Sequence, residues 1–167
     1  MPSEIPIGKD APEKVNILIE IPQGGQVKYE VKEGTLFVDR FLYTSMQYPF
    51  NYGFICGTKG EDGDPLDAIV LSSLPVQAGV ILPSQPIGLL EMEDEEGIDT
   101  KIIAVPTAKI DPIFGSYKDV DDLPEMVKSK IKHFFEHYKE LEPGKWVKVK
   151  NWKDAKEAKE LIKKAMV

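Results

Sequence analysis

Three carboxylates fall within six residues at Asp62-Gly63-Asp64-Pro65-Leu66-Asp67. The proline stops the run from continuing as a helix, so the segment reads as a tight, stiff turn presenting hard oxygen donors. Bare carboxylates placed that close repel, and they need protons or a cation. Mg²⁺, bound through a few carboxylates and waters, suits such donors. A second acidic loop runs from Glu91 to Asp99, and Lys101 follows it. Acids that hold cations, beside bases that hold phosphoryl oxygens, are the parts of a metal-dependent phosphate enzyme.

Other charged groups converge only if strands aim them. With a period of two, Lys28 and Glu30 share a face opposite Val27, Tyr29 and Val31. Glu20 interrupts an aliphatic strand, where a lone carboxylate costs free energy unless it is paired or metal-linked. Asp99 and Lys101 share a face if a strand begins there. Pair by pair, a solvated barrel exterior accounts for each. The mixture of many acids with Lys28, Arg40 and Lys101 favours a phosphate site. Arg40, inside Phe37-Val38-Asp39-Arg40-Phe41, fits either an ion pair with Asp39 or bidentate phosphate recognition. In Tyr48-Pro49-Phe50-Asn51-Tyr52-Gly53 the tyrosines fit a core, or phenol donors to a phosphate oxygen.

The elements that must position these groups change character along the chain. Residues 1–13 carry three prolines and read as an extended arm. From Val15 to about Thr107 the pattern is β. Ile17, Ile19 and Ile21 alternate with other residues, as do Val27, Tyr29 and Val31. Further apolar runs stand at Leu36–Val38, Ala68–Leu71, Val80–Leu82 and Lys101–Val105, between Gly and Pro punctuation. Short turns between close strands predict a small closed barrel. After Pro124, Val127, Ile131, Phe134, Tyr138 and Leu141 recur at helical spacing, and Pro143-Gly144 ends that helix. A terminal helix is expected from about Lys153 to Ala165, with Ala158, Leu161, Ile162 and Ala165 on one face. The class is α+β.

At 167 residues the chain should form one domain and bury roughly 70% of its unfolded surface. No repeat or linker divides it. A net charge of −7 disfavours anionic membranes and nonspecific nucleic-acid binding. The single cysteine, Cys56, rules out an internal disulfide and suits a reducing compartment. Met1-Pro2-Ser3-Glu4 is acidic with no apolar run after it, so no secretory signal is expected. No stretch approaches the roughly 18 apolar residues of a membrane span. A cytoplasmic protein is expected.

Three rival motifs fail on spacing. An EF-hand loop starting at Asp62 needs an oxygen ligand, Gly and Glu where this chain has Leu66, Asp67 and Ser73. No Gly-rich phosphate loop ending in Lys-Ser/Thr is present. His133-Phe134-Phe135-Glu136-His137 matches a zinc-protease pattern, but no third ligand is evident, so histidines beside a core stripe, at a subunit contact, fit better.

Taken together, these blocks resemble the soluble family I inorganic pyrophosphatases in their short prokaryotic form. The resemblance spans about Ile19 to Trp152. It rests on Ile19-Glu20-Ile21-Pro22, Lys28-Tyr29-Glu30, the Arg40 and Tyr48–Gly53 blocks and the six-residue acidic turn. Asp94-Glu95-Glu96-Gly97-Ile98-Asp99-Thr100-Lys101 and His133 to Lys139 complete it. The resemblance implies a five-stranded OB-like barrel with flanking, mainly C-terminal helices. It implies Asp62, Asp67, Asp94 and Asp99 as ligands of several Mg²⁺ ions, joined by Asp64 with substrate. Glu20 and Glu30 become supporting metal contacts, and Tyr48 stands beside the Asp cluster. Lys28, Arg40, Tyr52, Lys101, Tyr138 and Lys139 match the groups that hold two phosphates. A homohexamer is implied, with His133 and His137 between trimers.

The implied activity is Mg²⁺-dependent hydrolysis of inorganic pyrophosphate to two orthophosphates, an inorganic diphosphatase reaction without covalent intermediate. Asp64 is the candidate general base. Mn²⁺ or Zn²⁺ are possible substitutes for Mg²⁺. Two alternatives stay open: an OB-like module for single-stranded nucleic acid, which the negative charge disfavours, and a hydrolase of another phosphoanhydride such as a nucleotide.

Overall fold

The computed structural model describes residues 4–167. Five strands close into a ring. β1 (Val15–Ile21) pairs antiparallel with β4 (Asn51–Ile55), which pairs antiparallel with β5 (Asp67–Val70). β5 runs parallel to β8 (Lys101–Pro106), β8 pairs with β6 (Ile81–Asp94), and β6 returns to β1. This is the expected OB-like α+β barrel. A separate hairpin, β2 (Val27–Lys32) with β3 (Thr35–Phe41), stands beside it and aligns Lys28 with Arg40.

β6 is the long strand of the ring. Its first half closes on β1, with Ile17 opposite Leu82, and its second half pairs with β9 (Val147–Asp154), with Met92 opposite Val149. Its tip turns back through β7 (Gly97–Ile98). Register shifts at Pro86/Gly88 and Leu90/Met92 bend it, as bulges do. Close approach shapes the opposite wall: a Cβ on Gly53 would lie 1.8 Å from the Leu18 carbonyl oxygen. Only glycine fits where β4 crosses β1.

Two apolar layers sandwich the central strands. β5 and β8 are buried on both faces, so their sequences read as continuous apolar runs rather than alternations. One layer takes Ile69, Ile103 and Val105 against Ile131, Phe134 and Phe135 of α1 (Glu125–His137). The other takes Ala68, Val70, Ile102 and Ala104 against Ala158 and Ile162 of α2 (Ala155–Ala165). Asp154 caps α2 by accepting from the Glu157 N–H at 2.9 Å, which satisfies one free amide of its first turn.

Several expectations need correction. β4 lies within the expected β region but outside its apolar runs, β9 falls where only helix is expected, and β6 runs on to Asp94 through what reads as punctuation. α1 ends at His137, and Leu141 is exposed rather than part of its buried stripe. α2 begins at Ala155, two residues later than expected. The arm expected over residues 1–13 runs from Lys9 to Glu13 in turns rather than extended, with Ile7 and Ala11 against the second apolar layer; residues 1–3 lie outside the described residues. Among the described residues no helix is long and apolar enough to cross a membrane.

Candidate active site

The acidic turn hangs between β4 and β5, so the barrel itself sets where its ends stand. Gly63 takes φ +89°, a left-handed conformation that costs a residue with Cβ. The turn is stitched by Gly60 N–H donating to the Asp64 carbonyl at 2.8 Å and Asp64 N–H donating to Asp62 Oδ1 at 2.9 Å. Asp62 and Asp64 are left exposed, and Asp67, at the start of β5, faces across to β8.

A cavity of about 530 Å³ opens there, and all fourteen residues singled out from the sequence line it. β1 supplies Glu20, β2 and β3 supply Lys28, Glu30 and Arg40, and the Tyr48–Tyr52 segment supplies its two tyrosines. The acidic turn supplies Asp62, Asp64 and Asp67; the β6 tip and β8 supply Asp94, Asp99 and Lys101; the segment after α1 supplies Tyr138 and Lys139. Sequence reasoning gave no role to Glu95, Glu96, Glu142 and Lys145, which also line it. The first two lie in the block that carries the family resemblance. Glu142 and Lys145 flank Pro143-Gly144, a turn that folds the chain back toward the site, but nothing in their spacing signals it.

Lys101 is the centre of the charge pattern. Its Nζ lies 2.9 Å from Asp67 Oδ2, 2.9 Å from Asp99 Oδ1 and 2.8 Å from the Tyr52 hydroxyl, while the side chain is almost wholly buried. Burial alone would lower its pKa, but Asp67 and Asp99 outweigh that and hold it well above the usual lysine value. Burial and the neighbouring Asp67 push Asp99 up, against the pull of Lys101. Glu20 is raised to about 7, chiefly by burial, despite accepting the Val31 N–H at 3.0 Å. Burial also raises Tyr48, Tyr52 and Tyr138, so their phenols stay protonated.

The remaining bases are held by acids in turn. Lys139 Nζ lies 3.2 Å from Asp94 Oδ2 and 3.2 Å from Glu95 Oε2. Arg40 donates through Nε to Asp39 at 3.0 Å and through Nη1 to the buried Glu142. Lys28 stands 3.5 Å from Asp39. A ring of aromatics backs the wall: Phe134 and Tyr138 stack at 5.0 Å, and Tyr48 sits 4.7 Å from Phe134.

Eleven carboxylates face five cationic side chains in this basin. A phosphate anion entering it meets net repulsion, which a bound cation would offset. The donors are carboxylate oxygens with no thiolate or imidazole among them, which suits Mg²⁺ or Mn²⁺ better than Zn²⁺. Glu95 Oε1 is buried without a hydrogen-bond partner, with Lys145 Nζ 3.6 Å away as an ion-pair partner. Yet among the described residues no three His, Cys, Asp or Glu side chains stand close enough to chelate one ion. On the acidic turn Asp62 and Asp64 are exposed, and Asp67 is held by Lys101 Nζ at 2.9 Å. His133 and His137 lie outside the basin, on α1, with ring centroids 4.7 Å apart and His137 Nδ1 2.8 Å from Glu140.

Comparison with known proteins converges on one family. Residues 17–167 match the family described as Inorganic pyrophosphatase. The chain is 61% identical to an inorganic pyrophosphatase of Aeropyrum pernix, over 95% of this chain and 92% of that protein. It is 58% identical to one of Aquifex pyrophilus, over 98% and 93%. The crystal structure of the Thermus thermophilus inorganic pyrophosphatase superposes with a TM-score of 0.94 at 46% identity, covering 98% of this chain and 95% of that one.

Proposed function

This chain belongs to the inorganic pyrophosphatase family, and we propose that its acidic basin is where it carries out that family's reaction. The reaction is hydrolysis of inorganic pyrophosphate to two orthophosphates. Members of the soluble family are metal-dependent, and Mg²⁺ is the cation proposed here. The observation that carries the assignment is that one cavity gathers both halves of the required chemistry, oxygen donors for cations and cationic donors for phosphate.

Asp62, Asp64, Asp67, Asp94 and Asp99 would hold the metal, with Glu20 and Glu30 in support. When bound, the cations supply positive charge against the phosphoryl oxygens and lower the pKa of the attacking water. Asp64, exposed at the rim of the turn, accepts a proton from that water as its oxygen attacks one phosphorus. The bridging P–O bond breaks in line, and the departing phosphate keeps the bond's electron pair. Lys28, Arg40, Lys101 and Lys139, with the protonated phenols of Tyr52 and Tyr138, donate to the oxygens where that charge collects. These donors are aimed before substrate arrives, because each cation is already tied to an acid of the wall. Tyr48, buried among Phe50, Phe134 and Tyr138, stiffens the wall that carries Tyr52.

The nucleic-acid alternative fits poorly, since the basin is ringed by carboxylates of the same sign as a phosphate backbone. A homohexamer in the cytoplasm, with His133 and His137 at a subunit contact, completes the proposal. Phosphate release from pyrophosphate, with and without millimolar Mg²⁺ and alongside ATP, tests it. Fast release from pyrophosphate that needs the metal, with little from ATP, is expected. Equal release from ATP would make the chain a hydrolase of another phosphoanhydride.

A further inference from the structure

The acidic turn has a root as well as a tip. At that root Thr58 is buried, and its hydroxyl spans the two ends of the loop. Thr58 Oγ1 donates to the Ile55 carbonyl at 2.7 Å and accepts the Leu66 N–H at 3.0 Å. Ile55 is the last residue of β4, and Leu66 immediately precedes Asp67 on β5. One hydroxyl therefore ties the strand that enters the turn to the residue beside a proposed ligand. A second brace meets it from outside. Thr58 pairs with Met166 in an antiparallel bridge beyond α2, flanked by Lys59 N–H to the Ala165 carbonyl at 2.8 Å and Val167 N–H to the Gly57 carbonyl at 3.1 Å. Thr58 and Val167 line a second cavity of about 640 Å³ that adjoins the basin and shares Glu20, Glu30, Asp64 and Asp67 with it.

From this geometry we infer that Thr58 is a positioning residue for the metal-binding carboxylates of the acidic turn. Its hydroxyl is engaged by two backbone groups, and Thr58 does not line the basin. It fixes the spacing between the loop's two ends, and so how closely Asp62, Asp64 and Asp67 can converge on a cation. To bind an ion, the loop must hold these mutually repelling acids near one another. A braced loop loses less conformational freedom on doing so than a slack one. The inference rests on the assignment of these aspartates as metal ligands.

Mg²⁺ binding to the substrate-free protein, measured by titration calorimetry, separates the possibilities. Thr58→Val keeps the shape and removes the hydroxyl; it should weaken Mg²⁺ binding at least about threefold, the loss of one partly buried hydrogen bond. Thr58→Ser should restore it. Ser84→Ala removes another buried hydroxyl, one that donates to the Leu82 carbonyl away from the turn; it should leave Mg²⁺ binding unchanged. Asp67→Asn should weaken binding if the ligand assignment holds. Should Thr58→Val not fold, the Leu66 amide of the unaltered protein gives the same answer, since saturating Mg²⁺ should slow its hydrogen exchange. Unchanged Mg²⁺ affinity in Thr58→Val, or metal-indifferent exchange at Leu66, overturns the role of Thr58 while Asp67→Asn still loses binding. Normal binding by Asp67→Asn overturns the ligand assignment and this inference with it.

Discussion

Lys101 Nζ lies 2.9 Å from Asp67 Oδ2, bridging the first residue of β8 to the first residue of β5. Those strands run parallel and adjacent, with Ala68 opposite Ile102, so the pair is set by register. The same ammonium serves Asp99 at 2.9 Å. One buried cation thus balances two acids in a basin that otherwise repels its substrate.

Lys101→Met should therefore cost stability before it costs chemistry. With the ammonium gone, Asp67 and Asp99 face each other, and the metal-free variant should lose up to about 3 kcal/mol. Millimolar Mg²⁺ should recover most of that loss, because it replaces the missing charge, while turnover stays low for want of a phosphate donor. Thermal unfolding with Mg²⁺ and with EDTA checks this. Equal destabilisation in both conditions would mean that cations do not bind beside Asp67 and Asp99.

Arg40 is held as a fork, through Nε to Asp39 and through Nη1 to Glu142. A lysine at this position carries the charge but cannot satisfy both acids and a phosphate oxygen in one plane. Arg40→Lys should lower kcat/KM for pyrophosphate by about tenfold or more, with little change in Tm. Steady-state kinetics at fixed free Mg²⁺ decide it, and wild-type values would remove Arg40 from substrate recognition.

Glu20 makes metal-free stability depend on pH. Its pKa rises from 4.5 to about 7 on folding, chiefly through burial. The folded state thus holds the proton more tightly than the unfolded chain. This contribution is present in full below about pH 4.5 and is lost as pH rises through about 7. Glu20→Gln mimics the protonated form. In EDTA it should match the wild type at pH 5 and exceed it at pH 8 by about 1–3 kcal/mol. Equal stabilities at pH 8 would mean that Glu20 is solvated when ionised.

Much of this was legible in the residues, for physical reasons that also explain the gaps. β1 and β2 announced themselves by period-two alternation, and β5 and β8 by apolar runs buried on both faces. β4 hid because it begins in an aromatic block and contains Gly53, whose purpose is a backbone approach no local pattern reveals. β6 hid behind Pro83, which pairs in register with Asn16 of β1, and Pro86, which lies at the register shift against β8. β9 carries a visible alternation in Val147-Lys148-Val149-Lys150, but it sits between two helices, where the change of period after Pro124 suggested helix alone.

The site divides the same way. Carboxylate-rich blocks identified what chemistry to look for, and the fold brings all fourteen residues named for metal and phosphate to one basin. Which acid holds which base was not legible, because those pairings cross long stretches of chain. Glu142 reaches Arg40 across 102 positions of sequence, and Lys139 reaches Asp94 across 45. Nor could sequence tell that Lys101, from β8, would hold Asp67 and Asp99 together.

Turnover by Asp64→Asn tests the central claim most directly. Pyrophosphate hydrolysis should be measured at saturating Mg²⁺ for this variant and the wild type, with Mg²⁺ binding followed in parallel. If Asp64 takes the proton from the attacking water, kcat should fall by roughly 10²–10⁴-fold while the protein still folds and binds Mg²⁺. Full turnover in Asp64→Asn would contradict the account, and would require the proton to leave by a route that does not involve the acidic turn.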